Sequence, residues 1–333
     1  MILKEISLKK NKREKFPIDF VITWVDGSDK KWQNKKLEYI DLIKDRKQNQ
    51  INRYRDYGLL KNWFERIWEY APWVRKVFLV TDNQAPKWAY KNDRIVIVDH
   101  NDFIPKKYLP TFNSNSIEMN IWRIGDLSEH FVLFNDDMYV TKNVYREDFF
   151  NSDGLPILTG SFNPVVPRDN FSKIIFNNMV WINEFYSKKN YFRKNWKKYL
   201  SFKYGFALNF RSLLCLPFTN WLGFYEDHLP YPHLKSKFTD LYNKCPKIFE
   251  ETSSHRFRES DDYSQWLLKN IYLVSGNFYP RKKSLGIVVN LQKKSQLNKF
   301  ESLIGKHKIV VINDDFVDNS IVAELQRILF LGK

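Results

Sequence analysis

The 333-residue chain has only two cysteines, Cys215 and Cys245. This number excludes a disulfide framework and a cysteine-rich zinc site, and it is typical of a reducing compartment. The basic segment from Met1 to Lys15 lacks the apolar core of a signal peptide. The longest apolar stretch, residues 212–225, is too short and too often interrupted to span a bilayer. We therefore expect a cytoplasmic protein that is soluble or peripheral at the inner face of the cell membrane.

Several catalytic motifs are absent as well. The chain contains neither G-x-x-x-x-G-K-S/T nor G-x-G-x-x-G, which argues against P-loop kinases and dinucleotide-binding enzymes. The G-x-S-x-G turn of the α/β-hydrolases is also missing. The 6 histidines show no paired metal-binding spacing, so we do not expect a zinc site.

Apolar, aromatic and basic residues are plentiful. Hydrophobic residues make up 43% of the chain and aromatic residues 17%, enough to bury a substantial core, which excludes wholesale disorder. The chain has 54 lysines and arginines against 38 aspartates and glutamates, a formal net charge of +16. This charge favours anionic partners such as nucleic acid, nucleotides, phosphates or acidic lipids, without choosing among them.

Strand and helix patterns alternate along the first half of the chain. Near-continuous apolar strands that alternate with amphipathic helices are typical of a mainly parallel sheet covered on both faces. The predicted strands are at residues 18–25, 76–81, 94–99 and 131–134, and the predicted helices at 59–71 and 114–123. A further strand at 308–312, followed by a helix from residue 321, predicts that the chain returns to the core.

Polar and acidic residues follow each of these strands. Because the carboxyl ends of parallel strands share one edge, we expect these residues to converge on one ligand-binding crevice. So many like charges are costly without a cation, so we predict a hard divalent metal, Mg²⁺ or Mn²⁺, although each acidic pair alone could be a solvated turn. The residues are Asp26, Asp29, Asp82, Asp99, Asn135, Asp136, Asp137, Asn313 and Asp314.

Three other segments allow both a functional and a structural interpretation. His228 lies in an acidic and proline-rich loop and is either a general acid or base or a surface histidine. Residues 254–262 form either a helix start with local ion pairs or an arginine clamp for phosphate. The basic and aromatic segment 188–203 is either an interfacial helix on an anionic membrane or a core helix with a solvated basic face.

Four blocks of the sequence together resemble the Stealth family of capsular and exopolysaccharide sugar-phosphate transferases, which are similar to the catalytic core of the animal N-acetylglucosamine-1-phosphotransferase. The blocks are residues 19–29, residues 53–149, residues 228–262 and residues 312–314. The resemblance implies transfer of a hexose-1-phosphate from a nucleotide sugar, expected to be UDP-linked, to a glycan hydroxyl, with release of a nucleoside monophosphate. We expect the acceptor glycan to be lipid-linked.

On this basis we expect a Rossmann-like, glycosyltransferase-A-like α/β fold with a largely helical insertion. The predicted regions are a basic tail at 1–17, a nucleotide-sugar-binding core at 18–150, an acceptor or lid subdomain at 151–290, and a C-terminal strand and helix at 291–333. One departure from the animal enzyme is the segment Gly58–Lys61, which replaces an acidic pair, so contacts with the donor sugar are expected to differ there.

The resemblance also assigns roles to individual residues. The predicted metal ligands are Asp136, Asp137 and Asp314. The predicted catalytic residues are His228 as the base on the acceptor hydroxyl, Asp262 to orient it, and Arg123 and Arg258 to neutralise phosphate charge. The predicted donor-binding residues are Asp26, Gly27, Asp29, Thr111, Glu118, Asn135, Arg256 and Asn313.

Two other functions remain open from the sequence. One is a metal-dependent glycosyltransferase that attacks the anomeric carbon and forms a glycosidic bond. The other is a basic, non-enzymatic protein that binds a polyanion. The ordered acidic strand ends argue against the second, and against a nucleic-acid partner, because carboxylates repel a polyanion.

Overall fold

The computed structural model describes residues 16–47, 49–291, 296–314 and 322–331. Of the predicted basic tail at 1–17, residues 1–15 lie outside this part. The strands are β1 (Ile18–Thr23), β2 (Val77–Thr81), β3 (Ile95–Asp99), β4 (His130–Asn135), β5 (Met138–Val140), β6 (Ile157–Leu158), β7 (Tyr231–Leu234), β8 (Tyr279–Pro280), β9 (Gly286–Leu291) and β10 (Ile309–Asp314).

The helices follow the predicted alternation in the first half of the chain and dominate the middle. They are α1 (Lys30–Leu37), α2 (Leu60–Tyr70), α3 (His100–Phe103), α4 (Ser114–Asn120), α5 (Asn170–Phe185), α6 (Lys188–Tyr199), α7 (Phe206–Leu214), α8 (Lys235–Lys244), α9 (Pro246–Ser254), α10 (Trp266–Ser275), α11 (Gln296–Glu301) and α12 (Val322–Leu331). Short 3₁₀ turns lie at Ile40–Leu42, Ile51–Tyr54, Ala89–Lys91, Lys106–Tyr108, Ile121–Arg123, Arg146–Asp148, Phe202–Tyr204 and Lys283–Leu285.

The central sheet has the strand order β3-β2-β1-β4-β7. The first four strands are parallel, and β7 adds an antiparallel edge. Thr23 pairs with Asn135, and Thr81 pairs with Asp99, so the carboxyl ends of the parallel strands form one edge as predicted. The expectation of an α/β fold with a mainly parallel sheet is confirmed.

The buried first strand carries one charged side chain, Asp19, which is fully enclosed. Its carboxylate accepts hydrogen bonds from the guanidinium of Arg75 at 2.6 and 2.8 Å. It also accepts bonds from the backbone N–H and the hydroxyl of Ser128. These donors compensate the charge at the amino end of β1, far along the strand from the acidic edge.

The last strand differs from the prediction in its partners. We expected the strand after residue 308 to add an acidic end to the central sheet. Instead β10 lies in a second sheet of order β5-β10-β9, antiparallel to β5 and parallel to β9. It does return to the core, because Val310 and Ile312 pack in the same buried cluster as Phe20.

Only Asp136 and Asp137 separate the central strand β4 from β5 of the second sheet. The backbone N–H of Ile312 donates to the carbonyl of Asp137 at 3.0 Å, and the indole of Trp63 donates to the carbonyl of Met138 at 2.8 Å. This connection is therefore fixed from both sheets and from α2.

The middle of the chain is largely helical and closes the other face of the central sheet. Its helices α5 and α10 share a buried cluster with the inward side chains of β1 and β4, such as Val21 and Leu133. The same region supplies strand β7 to the central sheet. The region boundaries at 150 and 290 stay predictions. Within the described ranges, none of the helices is both long and apolar enough to cross a membrane.

A buried carboxylate fixes the loop at residues 255–262. Asp262 is fully enclosed, and its Oδ2 accepts hydrogen bonds from the side-chain amides of Asn113 and Asn115 at 2.9 and 3.0 Å. Its Oδ1 pairs with Nδ1 of His255 at 2.8 Å. We predicted that Asp262 orients His228, and that prediction is wrong. The carboxylate of Asp262 is hydrogen-bonded to the two amides at the start of α4 and to His255 instead.

The pairing predicts a pH-dependent contribution to stability. The hydrogen bond that His255 donates to the carboxylate of Asp262 raises the pKa of His255, with burial opposing it. Because the folded-state pKa lies above the unfolded value, this contribution is fully present below about pH 6.5 and is lost as the pH rises through the folded-state pKa. The free energy of unfolding of the parent should exceed that of His255→Gln at pH 6, and the difference should shrink by pH 8.

Urea denaturation of the two proteins at both pH values measures this difference. His307→Gln is the control for loss of a histidine elsewhere. A difference between parent and His255→Gln that grows with pH would contradict the pairing of a charged imidazole with Asp262.

Candidate active site

A large cavity lies at the carboxyl edge of the central sheet. Its volume is about 1250 Å³. The ends of β1 and β4, the start of β5 and the end of β10 form one side, and the middle region of the chain forms the other. Eight of the residues to which the sequence assigned a role line it: Thr111, Glu118, Asn135, Asp136, Asp137, His228, Arg258 and Asn313. Asp82, which was expected at the same edge without a role of its own, lines it too. The roles of the eight stay predictions.

The two adjacent carboxylates of Asp136 and Asp137 lie in the connection between the sheets. Burial, followed by the charges of Asp137 and Asp56, raises the pKa of Asp136 to about 8. Oδ1 of Asp137 is buried and has no hydrogen-bond partner in the part of the chain that the structure describes. Both observations show that negative charge is poorly compensated here.

These carboxylates fit a hard divalent cation. Mg²⁺ is commonly held by one or two carboxylates, with substrate phosphate oxygens and water completing its coordination. Asp137 offers the unpaired Oδ1, and Asp136 is adjacent to it. The third predicted ligand, Asp314, ends β10 opposite Leu291, but its side chain lies outside the described residues.

Asp56 is a further carboxylate that the sequence reasoning did not assign to the site. It accepts a hydrogen bond from the indole of Trp24 at 3.2 Å. Burial raises its pKa, and the charge of Asp26 acts in the same direction. Asp56 does not follow a strand, so the rule that found the other carboxylates could not find it. Its position in the second sequence block was the available signal.

His228 faces the carboxylate pair. Its Nε2 lies 3.5 Å from Oδ2 of Asp137. Burial alone lowers the pKa of His228, but the carboxylates of Asp137, Glu226 and Asp227 outweigh burial and raise it. Its backbone has a φ of +46°, which is uncommon for a residue other than glycine. The neighbouring carbonyl of Pro230 accepts a hydrogen bond from Arg281 at 3.0 Å, and this bond helps to hold the loop.

Arg258 and Glu118 complete this side of the cavity. The guanidinium of Arg258 donates to the hydroxyl of Ser114 at 2.7 and 3.1 Å. Burial raises the pKa of Glu118 to about 7, while the charges of Arg258 and His228 oppose the increase. With a pKa of about 7, Glu118 can exchange a proton near neutral pH, and it lines the same cavity as His228.

The opposite wall contains buried ion pairs that the sequence did not reveal. Asp227 accepts hydrogen bonds from Arg281 at 3.2 Å and from Thr159 at 2.7 Å. Burial alone raises the pKa of Asp227, but Arg281 and Thr159 outweigh it and lower the pKa. Lys269 is buried in an ion pair with Glu226. Basic residues are mostly exposed in proteins, so sequence reasoning had no signal for burying these two.

Two predicted arginines lie outside the cavity. The guanidinium of Arg123 stacks on Trp122 and Tyr242 at 4.4 and 4.8 Å from the ring centres. Arg256 donates to the carbonyl of Pro110 at 2.6 Å. Both guanidinium groups have partners within the protein, and neither residue lines the cavity, so their predicted roles stay predictions.

Asp26, Gly27 and Asp29, which the sequence predicted to bind the donor, are not among the residues that line the cavity, although Val25 just before them is. Asp26 accepts hydrogen bonds from the N–H and hydroxyl of Ser28, and Asp29 accepts one from the N–H of Lys31 at the start of α1. A Cβ on Gly27 would lie 2.0 Å from the carbonyl oxygen of Tyr54. Gly27 therefore permits the close contact between this loop and a residue that lines the cavity.

The segment Gly58–Lys61, where the sequence departs from the animal enzyme, does not line this cavity. Leu59 and Leu60 are buried in the same core cluster as Trp63, and Lys61 is exposed. The apolar residues therefore contribute to packing at the start of α2.

Comparison with known proteins gives matches over most of the chain. Models of Stealth protein conserved regions 1, 2 and 3 match residues 16–43, 53–158 and 227–275. The first three predicted sequence blocks lie within these ranges. The fourth block, at 312–314, stays a prediction.

The chain is similar to named phosphotransferases of lactic acid bacteria and streptococci. It is 40% identical over 304 residues to the exopolysaccharide phosphotransferase cps2G of Lactiplantibacillus plantarum, covering 91% of this chain and 88% of that protein. It is 40% identical over 304 residues to the capsular polysaccharide phosphotransferase WcwK of Streptococcus pneumoniae, covering 89% of each. It is 39% identical over 305 residues to the receptor polysaccharide phosphotransferase WefC of Streptococcus oralis, covering 90% of this chain and 91% of that protein. The chain therefore belongs to the Stealth family.

Proposed function

We propose that this protein transfers a hexose-1-phosphate from a nucleotide diphosphate sugar to a hydroxyl of a glycan acceptor in capsular or exopolysaccharide synthesis. The observation that carries this proposal is the undercompensated carboxylate pair Asp136 and Asp137, which shares one cavity with His228 and Arg258. The names of the relatives support a phosphotransferase rather than a glycosyltransferase.

The proposed donor is UDP-linked, with UDP-N-acetylglucosamine as the first compound to test. The proposed acceptor is a lipid-linked glycan at the cytoplasmic face of the membrane. A cavity of about 1250 Å³ exceeds the size of sites for a single small ligand, which is consistent with a nucleotide sugar and part of a glycan bound together.

Asp136 and Asp137 would hold the proposed Mg²⁺ or Mn²⁺. When bound there, the cation would neutralise oxygens of the donor diphosphate. Arg258 presents its guanidinium to the same cavity and suits the charge that spreads over the phosphoryl oxygens in the transition state. Ser114 holds this guanidinium in place.

In the proposed reaction, the acceptor oxygen attacks the phosphorus bonded to the sugar. A new phosphorus–oxygen bond forms, and the phosphoanhydride bond breaks, with its electron pair leaving on the nucleoside monophosphate. The acceptor proton passes to Nε2 of His228, and the nearby carboxylate of Asp137 stabilises the resulting imidazolium. Glu118 is the other group in the cavity that could accept this proton.

The first prediction concerns the metal. Mg²⁺ or Mn²⁺ should raise the Tm of the parent, because the cation binds the folded state, and EDTA should abolish turnover. Asp136→Asn and Asp137→Asn should show no rise in Tm with either metal and should have no turnover even when metal is present. Burial disfavours the ionised form of Asp136, so Asp136→Asn should be at least as stable as the metal-free parent.

Differential scanning fluorimetry and a turnover assay measure these responses. Asp93→Asn, at an exposed carboxylate outside the cavity, should respond to Mg²⁺ like the parent. Full turnover in EDTA, or an unchanged Tm response of Asp137→Asn, would contradict the metal assignment.

The second prediction concerns the base. His228→Gln should lower kcat by about 10² to 10⁴ and leave the KM for the donor nearly unchanged, since removing a general base affects the chemical step. Glu118→Gln, at a buried position in the same cavity, is the comparison. If Glu118→Gln lowers kcat in this range and His228→Gln does not, the base is Glu118.

The third prediction separates the two kinds of transferase by the bond that breaks. Incubation with UDP-N-acetylglucosamine, or another accepted nucleotide sugar, and an oligosaccharide should release UMP and give a product heavier by sugar plus phosphate. Chromatography of the nucleotide and mass spectrometry of the glycan measure both products. Release of UDP with a product heavier by sugar alone would show a glycosyltransferase instead.

A further inference from the structure

Segment 188–203 was predicted to be either a membrane-surface helix or a core helix with a solvated basic face, and the packing of its helix α6 favours the core helix. In α6 the rings of Phe192 and Tyr199 stack with centres 5.7 Å apart inside the core, and Tyr199 is fully buried. Lys188 is buried too and donates to the carbonyl of Cys215 at 2.8 Å. Most of the aromatic face that a membrane would require therefore packs against the protein. Trp196 is the exception within α6, with 48% of its surface exposed, and Phe202 is exposed beyond the end of the helix.

Large apolar side chains are instead exposed in the segment that follows α6. Phe202 is 100% exposed and Phe206 86% exposed. We call six exposed residues the apolar ridge: Phe202, Phe206, Phe210, Leu213, Leu214 and Phe218. Helix α7 contributes four of them and buries only Leu208 and Ser212. The four in α7 recur at i, i+4, i+7 and i+8 and so share one face of the helix, where the rings of Phe206 and Phe210 stack. An exposed apolar face of this kind is uncommon on soluble proteins and marks an interaction surface.

The charge around the ridge has one sign. No aspartate or glutamate occurs between Glu184 and Glu226, whereas this stretch contains Lys188, Lys189, Arg193, Lys194, Lys197, Lys198, Lys203 and Arg211. Of these, Lys189, Arg193, Lys194, Lys197 and Arg211 are exposed. An apolar surface in a stretch whose charged residues are all basic complements a bilayer that has anionic headgroups above an apolar interior.

The opposite side of the ridge reaches the cavity. Tyr204 and Leu208 line it. The hydroxyl of Ser161 donates to the carbonyl of Leu208 at 2.9 Å, and the hydroxyl of Tyr204 donates to the carbonyl of Lys198 at 2.7 Å. Helix α7 is therefore fixed to the body of the protein. One of its faces lines the cavity, and the other carries ridge residues that face solvent.

We propose that the apolar ridge inserts into the surface of an anionic membrane and holds the cavity against it. The proposal deepens the function proposed above and rests on it in one respect, that the acceptor is lipid-linked. A glycan attached to a membrane lipid then reaches the cavity beside α7 while its lipid stays in the bilayer. The basic residues of α6 add electrostatic attraction but do not themselves insert.

Vesicle co-sedimentation tests the ridge. The parent should bind vesicles of phosphatidylcholine mixed with phosphatidylglycerol and bind weakly to phosphatidylcholine alone. Phe206→Ser with Phe210→Ser should weaken binding to the mixed vesicles by about tenfold or more, since two buried aromatic rings are lost from the bilayer. Lys194→Glu with Lys197→Glu should weaken binding as well, and added salt should weaken the parent.

The matched control is Leu37→Ser with Tyr90→Ser, two exposed apolar side chains far from the ridge in sequence, which should bind like the parent. The ridge variant should retain the Tm of the parent and its turnover with a soluble oligosaccharide. Equal vesicle binding by the parent and the ridge variant would overturn the proposal. So would a dimer of the parent that the ridge variant loses, because a second copy would then cover the ridge.

Vesicle binding is measured without substrate. Its outcome is therefore independent of which nucleotide the enzyme releases, so failure of the ridge proposal and failure of the proposed function are distinguishable.

Discussion

The candidate site depends on two adjacent carboxylates, Asp136 and Asp137, which form the connection between the two sheets. Strand β4 ends at Asn135 in the central sheet, and β5 begins at Met138 in the second, so Asp136 and Asp137 have no freedom to move apart. The strands on both sides are buried in one shared core. Hydrophobic packing therefore holds together charges that repel each other, and the free energy for doing so comes from the core rather than from local partners.

The two walls of the cavity differ in how far their buried carboxylates are paired with basic side chains. Asp227 and Glu226 are neutralised by Arg281 and Lys269, which are themselves buried. Such pairs hold a wall in one conformation and leave little net charge for a ligand. On the other wall, Asp137 keeps one oxygen that has no hydrogen-bond partner among the residues that the structure describes. A ligand that supplies positive charge, or brings a cation with it, is therefore favoured at the sheet junction and not at the opposite wall.

The sequence predicted the parts of the site that follow from local pattern. Asn135, Asp136 and Asp137 follow an apolar strand, and parallel pairing brings that strand end to the common edge. It could not predict contacts that depend on distant segments. The side-chain amides of Asn113 and Asn115, at the start of α4, donate to the distant carboxylate of Asp262. Strand β10 joins a second sheet because β5 offers an open edge beside it. The sequence pattern of an apolar strand followed by acidic residues is the same in both sheets, so it does not show which sheet a strand joins.

The basic and aromatic segment shows the same limit. Its composition predicted either a core helix or an interfacial helix. Periodicity alone could not show which side chains pack in the core and which lie at the surface. The fold uses Phe192 and Tyr199 of α6 for packing and leaves the side chains of α7 outside. An enzyme that acts on a lipid-linked acceptor needs a surface of this kind close to its cavity, because the glycan is tethered and its reach is short. A single helix with Leu208 at the cavity and Phe206 facing outward satisfies both requirements at once.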